Sequence, residues 1–107
     1  MPDLISIVPE RELDVARIDD FRVELSEAAA RDPSQSVVVD LSSVSFIDSS
    51  GLGALLEFEH HLRRKERQLA VVAPEGTAVA VMLTLTGLRG RLPVFETREA
   101  ALHDLDG

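Results

Sequence analysis

The run Val37-Val38-Val39-Asp40-Leu41-Ser42-Ser43-Val44-Ser45-Phe46-Ile47-Asp48-Ser49-Ser50-Gly51-Leu52-Gly53 decides how this chain folds. Its first five residues are β-branched and almost continuously apolar, a pattern that fits a strand covered on both faces rather than one with a wet side. Buried strands of this kind pair in parallel, and a parallel partner is reached through a crossover, usually a helix. After the polar stretch 42–45, Leu52, Leu55, Leu56 and Leu62 fall on one side of a predicted helix spanning about residues 50–65. Where a buried strand leads through a loop into a helix, the first N–H groups of that helix face the loop without intrahelical partners, and such a place suits an anion.

The same grammar extends to both sides of this run. Residues 4–8 form a short apolar stretch closed by Pro9, which cannot donate to a ladder and reads as a strand end. From Val15 onward Ile18, Phe21, Leu25 and Ala28 recur at steps of three and four, predicting an amphipathic helix with Asp14 placed as its N-cap and Asp32-Pro33-Ser34 breaking it. Residues 69–73 read as another buried strand closed by Pro74, and Ala78, Met82 and Leu85 mark a third helix ending at Gly87. Residues 92–95 supply one more strand. A last helix over 98–105 places Ala101, Leu102 and Leu105 on one side. Strands and helices alternate throughout, so the fold class is α/β.

With 107 residues, 45% of them apolar, the chain is long enough to bury one core without disulfides or metals. Nineteen acidic against eleven basic side chains give a net charge of −8, which repels phosphate backbones and anionic lipid surfaces; neither nucleic acid nor membrane is an expected partner. No cysteine is present, and no stretch approaches the roughly 18 apolar residues of a membrane span. Without a charged and apolar leader at Met1-Pro2-Asp3-Leu4-Ile5, a cytoplasmic location is expected. The basic run Arg63-Arg64-Lys65-Glu66-Arg67 reads as cations offsetting a helix C-terminus, and no function is assigned to it.

Chemistry concentrates in Asp48-Ser49-Ser50-Gly51. One of these side chains can cap the helix, and Gly51 lets other atoms approach the backbone closely. If Asp48 or Ser50 is the cap, Ser49 is left as a spare hydroxyl that a kinase can reach; the sequence leaves open which residue caps. A serine hydrolase is a poor fit, because no glycine stands two places before the serine of a nucleophile elbow. His60 and His61 lie about 15 Å along the same helix, beyond reach of Ser49. Adjacent histidines point about 100° apart and do not share one metal. No Gly-x-x-x-x-Gly-Lys run exists for phosphate binding. No catalysis, metal or cofactor is expected.

Residues 37–53 closely resemble the signature of STAS-domain anti-sigma factor antagonists, and Glu12-Leu13-Asp14 and Leu85-Thr86-Gly87-Leu88 resemble that family in order and spacing. The resemblance implies a STAS fold: one small domain over residues 1–107, with a mixed, mainly parallel sheet of about four to five strands and about four helices. It implies that the unphosphorylated protein binds an anti-sigma factor with serine kinase activity and so frees the sigma factor. Phosphorylation at Ser49 then switches binding off, with Ser50 as its supporting neighbour, and a separate serine phosphatase restores the binding form. Asp14 maps onto a loop of the partner face, so the implied switch surface is Asp14, Asp48, Ser49, Ser50, Gly51 and Leu52. A phosphoryl group adds about −1.5 to −2 charge to that surface, so an electrostatic and steric switch without large rearrangement is expected. Family members usually carry two strands and a glycine before the segment matching Glu12-Leu13-Asp14; here eleven residues precede it, room for one strand, and Arg11 stands at the glycine position. The alternative within the family is a STAS scaffold of a stress-sensing assembly or an accessory subunit of a lipid transporter.

Overall fold

The structure, a computed structural model, describes residues 5–9 and 12–106. Leu4, where the first strand is predicted to begin, and Arg11, at the family's glycine position, lie outside the described residues. In chain order the elements are β1 (Ile5–Ile7), α1 (Ile18–Arg31), β2 (Val37–Asp40), α2 (Ser49–Arg64), β3 (Leu69–Val72), α3 (Ala78–Leu85), a 3-10 turn (Leu88–Gly90), β4 (Val94–Phe95) and α4 (Arg98–Asp106). The strands lie in the order β1-β2-β3-β4, and each pairing among the described residues is parallel. The sheet thus has four strands there and no antiparallel member.

Because every crossover steps to the next strand in the same direction, the right-handed rule puts α1, α2 and α3 on one face of the sheet. The packing agrees. Phe21 and Leu25 of α1, Leu52, Leu55, Phe58 and Leu62 of α2, and Val79 and Leu83 of α3 bury against Val37, Val39, Leu69 and Val71. Each such side chain contributes roughly 1.5–3 kcal/mol on leaving water. The opposite face, Val38, Ala70 and Val72, is covered by α4 through Ala101, Leu102 and Leu105. Two-sided coverage is why β2 and β3 carry no wet face: Val37, Val38, Val39, Ala70 and Val71 are all at 0% exposure.

Two predicted details differ. Asp14 does not cap α1, whose N-cap position is Arg17 with no side-chain hydrogen bond. Asp14 instead closes a turn just before the helix: its Oδ1 accepts from the N–H of Ala16 at 3.1 Å, and its carbonyl accepts from Arg17 at 3.0 Å. In α3 the residues facing the core are Val79, Ala80 and Leu83, whereas Leu85 is 76% exposed. The octamer Ala78–Leu85 is apolar on nearly every position, so its periodicity identifies a helix without choosing a face.

The end of α2 turns the chain back into β3. Glu66 takes a left-handed conformation, φ 57°, and the N–H groups of Glu66 and Arg67 bond the carbonyls of Arg63 and Leu62, the paired bonds of a Schellman stop. Arg67 is itself buried, its guanidinium donating to the Gln35 and Asp32 carbonyls at 2.7 and 3.0 Å, which ties this turn to the end of α1. Residues 12–17 and 41–48, which lead into α1 and α2, gather at the C-terminal ends of the strands, the edge where open parallel sheets present their sites.

Candidate functional site

The segment after β2 carries the sequence's concentration of hydroxyls and one carboxylate, and the fold assigns them distinct tasks. Asp48 is the N-cap of α2: its Oδ1 accepts from the N–H of Ser50 at 2.9 Å and of Gly51 at 3.2 Å. Its carbonyl accepts the first intrahelical bond, from Leu52 at 3.0 Å. The choice between Asp48 and Ser50 left open by the sequence is therefore made for Asp48. A carboxylate has an advantage over a hydroxyl here, since its second oxygen, Oδ2, accepts from the N–H of Val15 at 3.1 Å, 33 residues away in sequence. The cap stitches the α2 start to the loop before α1.

That loop is stitched a second time through its backbone. Leu13 and Ile47 form an isolated parallel bridge, with Leu13 N–H donating to Phe46 O at 2.9 Å and Asp48 N–H donating to Leu13 O at 3.2 Å. Leu13 and Ile47 are each 1% exposed, which anchors both loops in the core. The close approach explains Gly51. A Cβ added there would lie 2.6 Å from Leu13 O and 2.7 Å from Ile47 Cγ1, so only glycine fits beneath the bridge.

Ser49 is the first residue of α2 and is exposed. Its Oγ has no hydrogen-bond partner among the described residues. Ser50, one position on, is half-buried. Asp14 stands on the neighbouring loop, half-buried, with its Oδ2 3.4 Å from Arg17 Nη1; the same Arg17 nitrogen lies 3.6 Å from Glu12 Oε2. Gly51 and Leu52, expected on the switch surface, are both buried and support it from below.

Two residues of this surface were not singled out from the sequence. Val15 is 71% and Phe46 49% exposed, and each flanks the Leu13–Ile47 bridge. Phe46 faces outward because its chain neighbour Ile47 points in, and Val15 is carried outward by the turn that follows Leu13. Val44 and Ile47 are buried with both Ser45 and Phe46 exposed between them, so no strand alternation in the sequence marks Phe46 as outward-facing. The surface thus combines two exposed apolar side chains, an exposed hydroxyl and the carboxylates of Asp14 and Asp48.

Histidines do not reach it. His60 and His61 are exposed in the second half of α2, where a ring nitrogen of His60 lies 3.2 Å from Arg63 Nη2, and His103 sits on α4, against the opposite face of the sheet. Among the described residues no group of three His, Cys, Asp or Glu side chains is arranged to hold a metal, and no helix is long and apolar enough to cross a membrane.

The model of the STAS domain matches residues 2–101. The chain belongs to the STAS domain family. This STAS domain is 30% identical over 95 residues to an anti-sigma F factor antagonist of Paenibacillus polymyxa, covering 89% of this chain and 80% of the relative. Among solved structures it is similar to an anti-sigma factor antagonist from Mycobacterium paratuberculosis, with a TM-score of 0.85, 27% identity, and coverage of 95% of this chain and 85% of the other. The anti-sigma factor antagonist SpoIIAA in its unphosphorylated form superposes with a TM-score of 0.69 at 21% identity, covering 100% and 94% of the two chains. The phosphorylated form of SpoIIAA, from Bacillus, gives 0.63 at 22% identity, covering 97% and 94%. These last two share the fold of this STAS domain.

Proposed function

We propose that this STAS domain is an anti-sigma factor antagonist whose unphosphorylated form binds an anti-sigma factor serine kinase, and that phosphorylation of Ser49 switches the binding off. One observation carries the reading: Ser49 is an exposed, unengaged hydroxyl at a helix start whose capping is already done by Asp48. Phosphate can therefore be added without removing any bond that holds the fold. Because Asp48 occupies the amides of Ser50 and Gly51, a phosphoryl group on Ser49 does not enter the helix start but projects from it, next to an existing negative charge. The exposed pair Val15 and Phe46 beside it is the apolar contact that a bound kinase would cover, and a charge of about −2 at its centre opposes that burial.

The relatives from Paenibacillus and Mycobacterium support the antagonist role by name. SpoIIAA, which keeps this fold in both phosphorylation states, supports a switch without rearrangement. In this reading the protein catalyses nothing, takes no cofactor and works in the cytoplasm, with a serine phosphatase resetting it. Incubation with the candidate kinase, ATP and Mg²⁺, followed by mass spectrometry, tests the assignment. Phosphate is expected on Ser49 in the wild type and on no residue of Ser49→Ala; equal modification of the variant refutes it. Ser49→Asp should lose kinase binding in a pull-down.

A further inference from the structure

Between α1 and α2, on the side of the molecule away from the sheet, runs a groove of about 540 Å³. Its floor is made by Leu25 and Ala29 of α1 and Ala54 and Phe58 of α2, the small alanines leaving the hollow that larger side chains would fill. The two helices run side by side, so the ends of the groove differ. One end is closed by an ion pair across it, Arg22 Nη2 to Glu57 Oε1 at 3.3 Å. The other end is framed by His61, Lys65 and Arg67. Asp32, whose carbonyl Arg67 holds, turns its carboxylate to its own loop, accepting from Ser34 N at 3.0 Å and Ser34 Oγ at 2.8 Å. Lys65 has no ion pair among the described residues. In a molecule of net charge −8, a cationic end on an apolar channel is a local inversion of sign.

We propose that this groove binds a small amphipathic anion, a single apolar chain ending in a carboxylate, with the chain on the Leu25–Phe58 floor and the carboxylate at Lys65 and His61. Volume argues for one small molecule rather than a protein segment, since ligand pockets fall at roughly 300–1,000 Å³ and are mainly apolar with a few placed polar groups. From Ala54 to His61 the floor runs about 10 Å at the helical rise, which suits a medium-length chain. Charge complementarity sets the orientation: at the closed end the Arg22 and Glu57 charges offset each other, whereas Lys65 at the other end keeps an uncompensated positive charge for the carboxylate. The site is separate from the Ser49 surface and does not depend on that reading.

The test is an NMR titration of the ¹⁵N-labelled full chain with monomeric decanoate. Saturable shifts are expected at Ala29, Ala54, Phe58 and His61. Octanoate should bind about tenfold more weakly, as expected for two methylenes fewer, and the cation decyltrimethylammonium should not produce this pattern. Ser26→Phe, which places a ring into the groove from an exposed position, should abolish the shifts, and Lys65→Glu should weaken binding about three- to tenfold. Both variants should melt at the wild-type temperature, which separates lost binding from lost folding. Absence of saturable shifts, equal response to the cation, or shifts centred instead on the exposed Val81 and Leu85 of α3 overturns the proposal.

Discussion

Replacing Asp48 by alanine removes one carboxylate that serves three backbone N–H groups, those of Ser50, Gly51 and Val15. The expected cost is about 2 kcal/mol, the upper end for an N-cap, because the tie to the α1 loop goes with it; a lowered urea midpoint measures it. Gly51→Ala is the harsher probe of the same corner. A methyl group 2.6 Å from Leu13 O forces the bridge apart, and a loss of about 1–3 kcal/mol is expected by the same measurement. Ser49→Ala, one residue before Ser50, should change stability by less than about 0.5 kcal/mol, since the hydroxyl holds nothing. The contrast between neighbours was only half legible in the sequence. Asp-Ser-Ser-Gly announces a helix start, but the choice of cap rests on Val15, a contact that local spacing does not contain.

At the level of the element, the stop of α2 holds a correctable strain. Glu66 occupies the left-handed position that glycine prefers, so Glu66→Gly should stabilise the protein by about 1 kcal/mol, read as a higher thermal midpoint. The helices themselves were readable in proportion to their polar contrast. In α1 the charged residues Asp19, Asp20, Arg22, Glu24 and Glu27 mark the wet side, and the structure buries Phe21, Leu25 and Ala28, which the spacing selects, with Ile18 partly buried against them. In α3 that contrast is missing, and Leu85 ended outside. The start of α1 was read three residues early because Val15 looks like the first apolar step of a helix, while the pull of the Leu13–Ile47 bridge keeps it in a turn.

For the molecule as a whole, alternation of apolar strands and amphipathic helices carried the α/β class, and the unbroken run of β-branched residues in β2 carried parallel pairing. Which face each helix covers follows from crossover handedness and strand order, and strand order was not written in any single segment. The result is lopsided: among the described residues α1, α2 and α3 share one face, and α4 is the one helix that covers the other. Ala101, at 0% exposure, is the centre of that thin layer. Ala101→Asp would bury a charge without a partner, and a loss of about 3 kcal/mol or more is expected, with increased binding of a hydrophobic dye reporting the uncovered sheet.

The lopsided layering also has a consequence for the order of events during synthesis. Everything needed to close the first face has been translated by Phe95, whereas Val38, Ala70 and Val72 wait for Ala101, Leu102 and Leu105 to leave the ribosome. A nascent chain halted just after β4 would display a sheet finished on one side and bare on the other, a natural substrate for a chaperone.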